Sequence, residues 1–327
     1  MFLSVIIPVY NAVDTIERCL NSIWSQDIPA NDYEVICVDD CSTDGSLDIL
    51  RHTSEFHPEL RVLRNNTNLR AGGARNHGVR EARGGYIVFI DADDYYHQGA
   101  LKKAYEYQKQ NRLDILVCDC ARHHQDRPND IMIHNFRSKD VMTGRRFMVV
   151  NTLPYAPWKY IFRRDLMVEN HVWFAEKVSC EDVDWSHKMA LFAKTVQYQP
   201  LLLVHYILSE NSQTGAEYKR PATVFYRMMA GQRLMELLPL CANSDERKQI
   251  VAVARETLAN GVVFMCALLS SPSGKCRIIK QCVDYDTDWG GLLNIVKRIP
   301  FTYSIFSTLI APVFRTAIYI KRNLKGR

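Results

Sequence analysis

The chain has 327 residues, with 47% hydrophobic and 24% charged residues, ordinary values for a globular protein large enough to hold one large domain plus an appendage. Its ten cysteines scatter through apolar runs, which argues against a disulfide scaffold and for buried, reduced thiols in a cytoplasmic protein. The net charge of +5 is uneven: fifteen Lys/Arg against seven Asp/Glu after residue 220 leave that part at +8 and residues 1–220 at −3, so an anionic partner is expected at the C-terminal end.

Taken in order, residues 3–9 read as a strand with no basic leader before it, so no N-terminal signal is expected. Residues 14–25 follow as a helix with Ile16, Leu20, Ile23 and Trp24 on one face. Residues 33–38 form a second strand, and Ser42 to Ser46 supply turn and capping residues for a short helix through Leu50. A strand at 60–64 and a helix at 71–82, ended by Gly84-Gly85, precede a fourth strand beginning at Tyr86. Repeated βαβ units of this length predict a parallel sheet with helices on both faces.

The fourth strand, Tyr86-Ile-Val-Phe-Ile90, stops at three carboxylates: Asp91, Asp93 and Asp94. Carboxylates crowded at the end of a buried strand repel one another, and a hard divalent cation, Mg²⁺ or Mn²⁺, relieves that repulsion. The competing reading is an acidic turn in which one Asp caps the next helix. Position weighs on the choice, because ligands of open α/β sheets sit outside the carboxyl ends of the strands. Pro8-Val-Tyr10-Asn11, Asp39-Asp40 and Asp91–Asp94 all fall there. An aromatic ring stacks on a base, and carboxylates accept from a pyrimidine N–H and from ribose hydroxyls, so a metal–nucleotide site is expected at that edge. There is no Gly-x-Gly-x-x-Gly after the first strand and no Gly-x-x-x-x-Gly-Lys-Ser/Thr, which disfavours dinucleotide and P-loop sites. Gly72-Gly73, at a helix start, reads either as a phosphate cradle or as close helix–sheet packing.

At this point the chain resembles the inverting family 2 glycosyltransferases. The residues that carry the resemblance are Ser4-Val-Ile-Ile-Pro-Val-Tyr-Asn11, Val38-Asp-Asp-Cys-Ser-Thr-Asp-Gly45, Ala74-Arg-Asn-His-Gly78, Asp91-Ala-Asp-Asp94, Ala156-Pro-Trp158 and Cys180-Glu-Asp-Val-Asp184. It covers roughly residues 1–215. It implies an α/β protein of GT-A type, a doubly wound, mostly parallel sheet with a helical C-terminal extension. It also implies a nucleotide-sugar half (1–100), an acceptor half (101–219) and a basic extension (220–327). The nucleotide-sugar contacts it implies are Pro8, Tyr10, Asp39, Asp40, Arg75, Asp91, Ala92 and Asp93, with Asp40 toward a uracil-type base. Asp91 and Asp93 would serve a Mn²⁺ or Mg²⁺ ion, Asp182 would be the base, and Trp158 and Glu181 would face the acceptor. The sequence departs from the family at Asn68, followed by Leu69-Arg70 where a Gly is usual two positions on, and at Tyr160, where a Lys is common.

Downstream, residues 100–110 are expected as a helix and 115–120 as a strand, with His123, His124 and His134 in an exposed loop rather than a zinc site. Trp173 and Trp185 read as core. Glu181-Asp182 precedes a helical run to Ala193, so a capping role competes with a catalytic one. Residues 201–206 read as an edge strand carrying His205, and the family resemblance, through Tyr206 and Ser212-Gln-Thr214, implies a loop that closes over the diphosphate. Ile250, Ala254, Leu258, Val262, Met265 and Leu269 form a packing stripe, and the uncharged run 300–314, flanked by basic residues, is too short to span a membrane and reads either as a peripheral membrane segment or as a helix packed on the catalytic domain with an exposed basic edge.

The expectation is a cytoplasmic enzyme, peripheral at the inner face of the membrane, that moves a sugar from a nucleoside-diphosphate donor, UDP-linked, to a polysaccharide or lipid-linked saccharide. A sugar nucleotidyltransferase and a non-catalytic nucleotide-binding scaffold are the alternatives. Nucleic acid is disfavoured as a partner, since the basic residues lack a recognisable binding module.

Overall fold

The structure is a computed structural model that describes residues 1–124, 127–132, 136, 138–208 and 221–269. The chain divides into two units, Met1–Ser209 and Glu210–Arg327.

The first unit begins with β1 (Leu3–Val9), α1 (Ile16–Trp24), β2 (Tyr33–Asp39), α2 (Ser46–Ser54), β3 (Leu60–Arg64), α3 (Arg70–Glu81) and β4 (Tyr86–Phe89). β2 is buried at every position, as a strand covered on both faces must be, and α1 buries Ile16, Cys19, Leu20 and Ile23, one face at helical spacing. After β4 come the two-residue β5 (Tyr95–Tyr96), α4 (Ala100–Asn111), β6 (Ile115–His124), β7 (Arg127–Met132), α5 (Gly144–Val150), β8 (Tyr160–Arg163), α6 (Arg164–Glu169), α7 (Asp182–Phe192) and β9 (Val196–Leu208).

One mixed sheet joins them in the order β3-β2-β1-β4-β8-β6-β9-β5, with β7 on β6. β3, β2, β1 and β4 run parallel, so the predicted parallel half stands. β8 enters antiparallel between β4 and β6, and β9 lies parallel to β6. Two local expectations need correction. β9 is not an edge strand, because β6 covers one side and β5 the other. His123 and His124 are not in a loop, because β6 continues to His124 in register with β9 to Leu208. Polar side chains hide that continuation, since each residue is held by a distant strand rather than by local pattern.

Gly72 and Gly73 lie inside α3 and are buried. A Cβ on Gly72 would come within 2.6 Å of the Ala175 carbonyl and 3.0 Å of Glu181 Cγ, and one on Gly73 would meet the Leu69 side chain. Close packing is therefore what these glycines serve. Gly78 likewise brings α3 against Ile6 of β1.

In the second unit, α8 (Pro221–Met235) and α9 (Ser244–Leu269) are described. Asn243 caps α9 through Oδ1, which accepts from Asp245 and Glu246 N, while Glu246 reaches back to Ala242 N. Ile250, Ala254 and Leu258 are buried as expected, and Leu258 and Ala254 approach Gly231. The side chains of Val262, Met265 and Leu269, the segments 212–214 and 300–314, and His134 lie outside the described residues.

Candidate active site

The parallel half delivers its polar residues to one edge through a set of cross-loop hydrogen bonds. Asn11, just after β1, adopts φ 50°, a left-handed conformation that Asn tolerates, and its Oδ1 accepts from Thr43 N at 2.8 Å. Asn11 N donates to Ser42 Oγ (3.0 Å) and Ala12 N to Ser46 Oγ (2.8 Å), so the loops after β1 and β2 are sewn together. Asp39, fully buried, accepts from Ser42 N at 3.2 Å and has Arg64 Nε 3.3 Å away.

Asp40 is nearly as buried. Its Oδ1 accepts from Asn65 Nδ2 (2.7 Å) and Leu69 N (2.8 Å), and its carbonyl accepts from Asn68 Nδ2 (3.1 Å). Its Oδ2 is buried with no hydrogen-bond partner among the described residues. A buried carboxylate oxygen left unpaired costs about 1–3 kcal/mol, so this atom marks a place for a donor. Tyr10, the residue after β1, stands 53% exposed, and Pro8 is half-buried.

The acidic loop holds three carboxylates in three environments. Asp91 Oδ1 accepts from Arg75 Nη2 at 2.6 Å. Asp94 is fully buried; its Oδ1 accepts from Ile207 N at 2.8 Å and its Oδ2 has no partner among the described residues. Burial, then Asp93 and Asp91, push the Asp94 carboxyl well up. At Asp93, burial and then the charge of Asp91 push the carboxyl up to about 6, with Arg18 opposing only weakly. Arg18 reaches this segment through a bond from Nη2 to the Asp93 carbonyl at 2.6 Å. Ala92 between them is buried.

Arg75 ties this loop to the start of α7. Its Nη1 donates to Glu181 Oε1 at 2.8 Å while Nη2 holds Asp91. The guanidinium is buried and lies 5.8 Å from the centre of the Phe89 ring and 5.5 Å from that of Phe174. Burial works against its charge, but Asp91 and then Glu181 hold it firmly protonated, and Asp182 adds to the same field. Burial raises the Glu181 carboxyl, with Arg75 opposing. Glu181 sits at the N-cap of α7 yet makes no side-chain capping bond, so the capping reading does not describe it. Asp182 opens the helix and is half-buried.

Asp91, Arg75 and Glu181 are thus brought into direct contact, with Asp182 next to them. Trp158 is placed differently. It lies in the 3₁₀ turn Pro157–Lys159, is buried in the core cluster, and stacks on Tyr206 with ring centres 5.2 Å apart. Lys159 is buried beside it, and burial pulls its amine pKa down. Sequence reasoning missed Arg18 and the contact of His123 with His205; neither residue stands in a motif, and only the register of distant strands brings the histidines together. Among the described residues, no group of three or more His, Cys, Asp or Glu is arranged to hold a metal ion. What the acidic loop offers is a pair, Asp91 and Asp93. That fits Mg²⁺ or Mn²⁺, which are commonly held by one or two carboxylates together with substrate phosphates.

A parallel sheet half with acidic strand ends, continued by a mixed half in which a Glu-Asp pair opens α7, defines a fold of GT-A type. The chain belongs to glycosyl transferase family 2, whose model matches residues 4–171. It is 32% identical over 232 residues to a poly(ribitol-phosphate) beta-glucosyltransferase of Bacillus spizizenii, covering 70% of this chain but only 36% of that protein. It is 31% identical to the uncharacterized glycosyltransferase YibD of Escherichia coli K12, covering 64% of this chain and 62% of the relative. In fold it is similar to Staphylococcus aureus TarS 1–349 solved in complex with UDP-GlcNAc, with a TM-score of 0.67 at 21% identity, covering 100% of this chain and 92% of that one.

Proposed function

We propose that this protein is a metal-dependent, inverting glycosyltransferase that moves a sugar from a UDP-linked donor to a hydroxyl of a polysaccharide or lipid-linked saccharide. The observation that carries the proposal is the Arg75 bridge, which holds a carboxylate of the acidic loop and the neighbour of Asp182 on one guanidinium. A leaving-group side and a base side are thereby set at a fixed spacing, which group transfer needs and simple nucleotide binding does not.

In this reading Asp40 Oδ2 accepts from the pyrimidine N–H and Tyr10 packs on the base. Asp91 and Asp93 hold Mn²⁺ or Mg²⁺, and the bound cation supplies positive charge against the departing diphosphate. Asp182 takes the proton of the acceptor hydroxyl as its oxygen attacks the anomeric carbon, and the bond to the diphosphate breaks on the opposite face. Glu181, fixed by Arg75, orients the acceptor or the base, and Trp158 lines the acceptor half. The poly(ribitol-phosphate) enzymes among the relatives support a surface polymer as acceptor. The basic residues after 288 support work at the inner face of the membrane, although no helix among the described residues is long and apolar enough to cross one.

The test is nucleotide release from UDP-, GDP-, CMP- and dTDP-sugars with Mn²⁺, Mg²⁺ or EDTA. Metal-dependent release of UDP supports the reading. Release of pyrophosphate would assign a nucleotidyltransferase, and metal-independent release would remove the cation from it.

A further inference from the structure

Three histidines outside the Arg75 cluster make a continuous run from His97, just after β5, through β9 to β6. His97 Nδ1 lies 2.9 Å from His205 Nε2, and His205 Nδ1 lies 2.7 Å from His123 Nε2. The two partners use different nitrogens of His205, so the run cannot close around one cation; it is a hydrogen-bonded chain. Tyr95 stacks on the central ring at 4.6 Å and 17°, and the Arg18 guanidinium lies 5.2 Å from the centre of the Tyr95 ring. The same Arg18 binds the Asp93 carbonyl. Backbone bonds reinforce the junction: His97 N donates to the Leu203 carbonyl at 2.8 Å, and Ile207 N donates to Asp94 Oδ1 at 2.8 Å. The segment just after the acidic carboxylates is therefore fastened to β9 at residues 94, 95 and 97.

We infer that His205, shared between His97 and His123, is a positioning residue that clamps the acidic loop onto β9. The role in donor binding rests on the proposed function above; the clamp itself does not. Proton counting explains why histidines suit it. Three neutral rings carry three N–H groups, and two of these make the ring-to-ring bonds. A first extra proton on the central ring keeps both bonds, but it puts a charge in a half-buried site between two other imidazoles, which is unfavourable. A second places cation beside cation and removes an acceptor, so at least one bond is lost. Burial first, then His123 and His97, push His205 down to about 4. Folding thus holds the ring neutral, and its contribution is fully present above about 6.5, the ordinary histidine value, and is lost as the pH falls toward about 4. The other charged groups around the run are Arg18 from α1, across Tyr95, and Asp94 with Asp93 and Asp91 from the acidic loop. On β6, Arg122 pairs in register with Tyr206 and alternates to the face opposite His123.

The test compares the full chain with His205→Phe, which keeps a ring to stack on Tyr95 but removes both ring-to-ring bonds. Amide hydrogen exchange, normalised to intrinsic rates, is followed at His97 and Ile207 from pH 7.5 to 4.5 without nucleotide. Protection in the wild type is expected to fall on acidification, and His205→Phe is expected to lose at least tenfold at pH 7.5 and, at His97, whose amide donates to a backbone carbonyl, to show no further pH dependence. Affinity for UDP with Mn²⁺ at pH 7.5 should fall about tenfold in the same variant, with kcat changed less than KM. Unchanged protection in His205→Phe would overturn the clamp. Lost protection with unchanged UDP affinity would overturn its positioning role. If the wild type binds no UDP with any metal, the proposed donor is wrong, and the exchange data still decide the clamp.

Discussion

Asp91 and Glu181, from the acidic loop and the N-cap of α7, never touch, yet each is held by a different nitrogen of Arg75, at 2.6 and 2.8 Å. Removing the guanidinium leaves two inward-facing carboxylates without compensation. Breaking a buried charge cluster in this way typically costs about 3–5 kcal/mol. Arg75→Met is expected to lose stability in that range, read by urea unfolding. Arg75→Lys keeps the charge but not the fork, so it should recover part of the stability while turnover stays at least tenfold low.

Asp182→Asn should bind UDP as the wild type does and lose transfer by about 10²–10⁴-fold, the usual span for a missing general base. Titration calorimetry and a transfer assay on the same preparation separate the two. Retained turnover would remove Asp182 as the base.

Asp40→Asn tests the unpartnered Oδ2. The substitution leaves one oxygen for Asn65 and Leu69 N but turns the inward acceptor into an amide donor aimed at another donor. UDP affinity should fall about ten- to a hundredfold, about 1.4–2.7 kcal/mol, with little change in melting temperature.

A proton and a cation compete for Asp93. Its carboxyl is raised to about 6, so in the metal-free protein its protonated form is favoured by folding. That stabilisation is present below the ordinary value of 3.8 and is lost as the pH rises through 6. A cation reverses the preference. The rise in melting temperature produced by Mn²⁺ should therefore grow between pH 5 and pH 7.5, and Asp93→Asn should abolish both the rise and its pH dependence. An equal rise at both pH values would show that Asp93 is not a ligand.

Deleting residues 299–327 removes five basic residues, Arg315, Lys321, Arg322, Lys325 and Arg327, and no acidic one. Sedimentation with vesicles containing anionic lipid should be lost in the truncated chain and weakened by salt in the full one. Equal sedimentation of both chains would remove the tail as a membrane contact.

Much of this was legible in the residues. The strand at 3–9 and the burial of the second strand follow from apolar runs bounded by turn chemistry, and their polar ends fall at one edge because parallel strands share a direction. Arg75 was legible only as a motif member. It lies on a buried helix face made of Gly, Ala and Asn, which no hydrophobic period announces. The histidine run was hidden for another reason. The end of β9 reads as a strand from its apolar run, but the end of β6, Arg122-His-His124, is polar and is held by partners some eighty positions away, so it carries no local signal of being a strand.

The glycines of α3 bear on all of this without carrying any chemistry. Gly72 abuts the Ala175 carbonyl and Glu181, and Gly78 abuts Ile6, so helix, strand and the 174–181 segment touch through absent side chains. The gap between α3 and the start of α7 is thereby gauged by contact rather than by charge. A methyl group at position 72 would act as a shim, displacing Glu181 from Arg75 while every ionisable group remained in place.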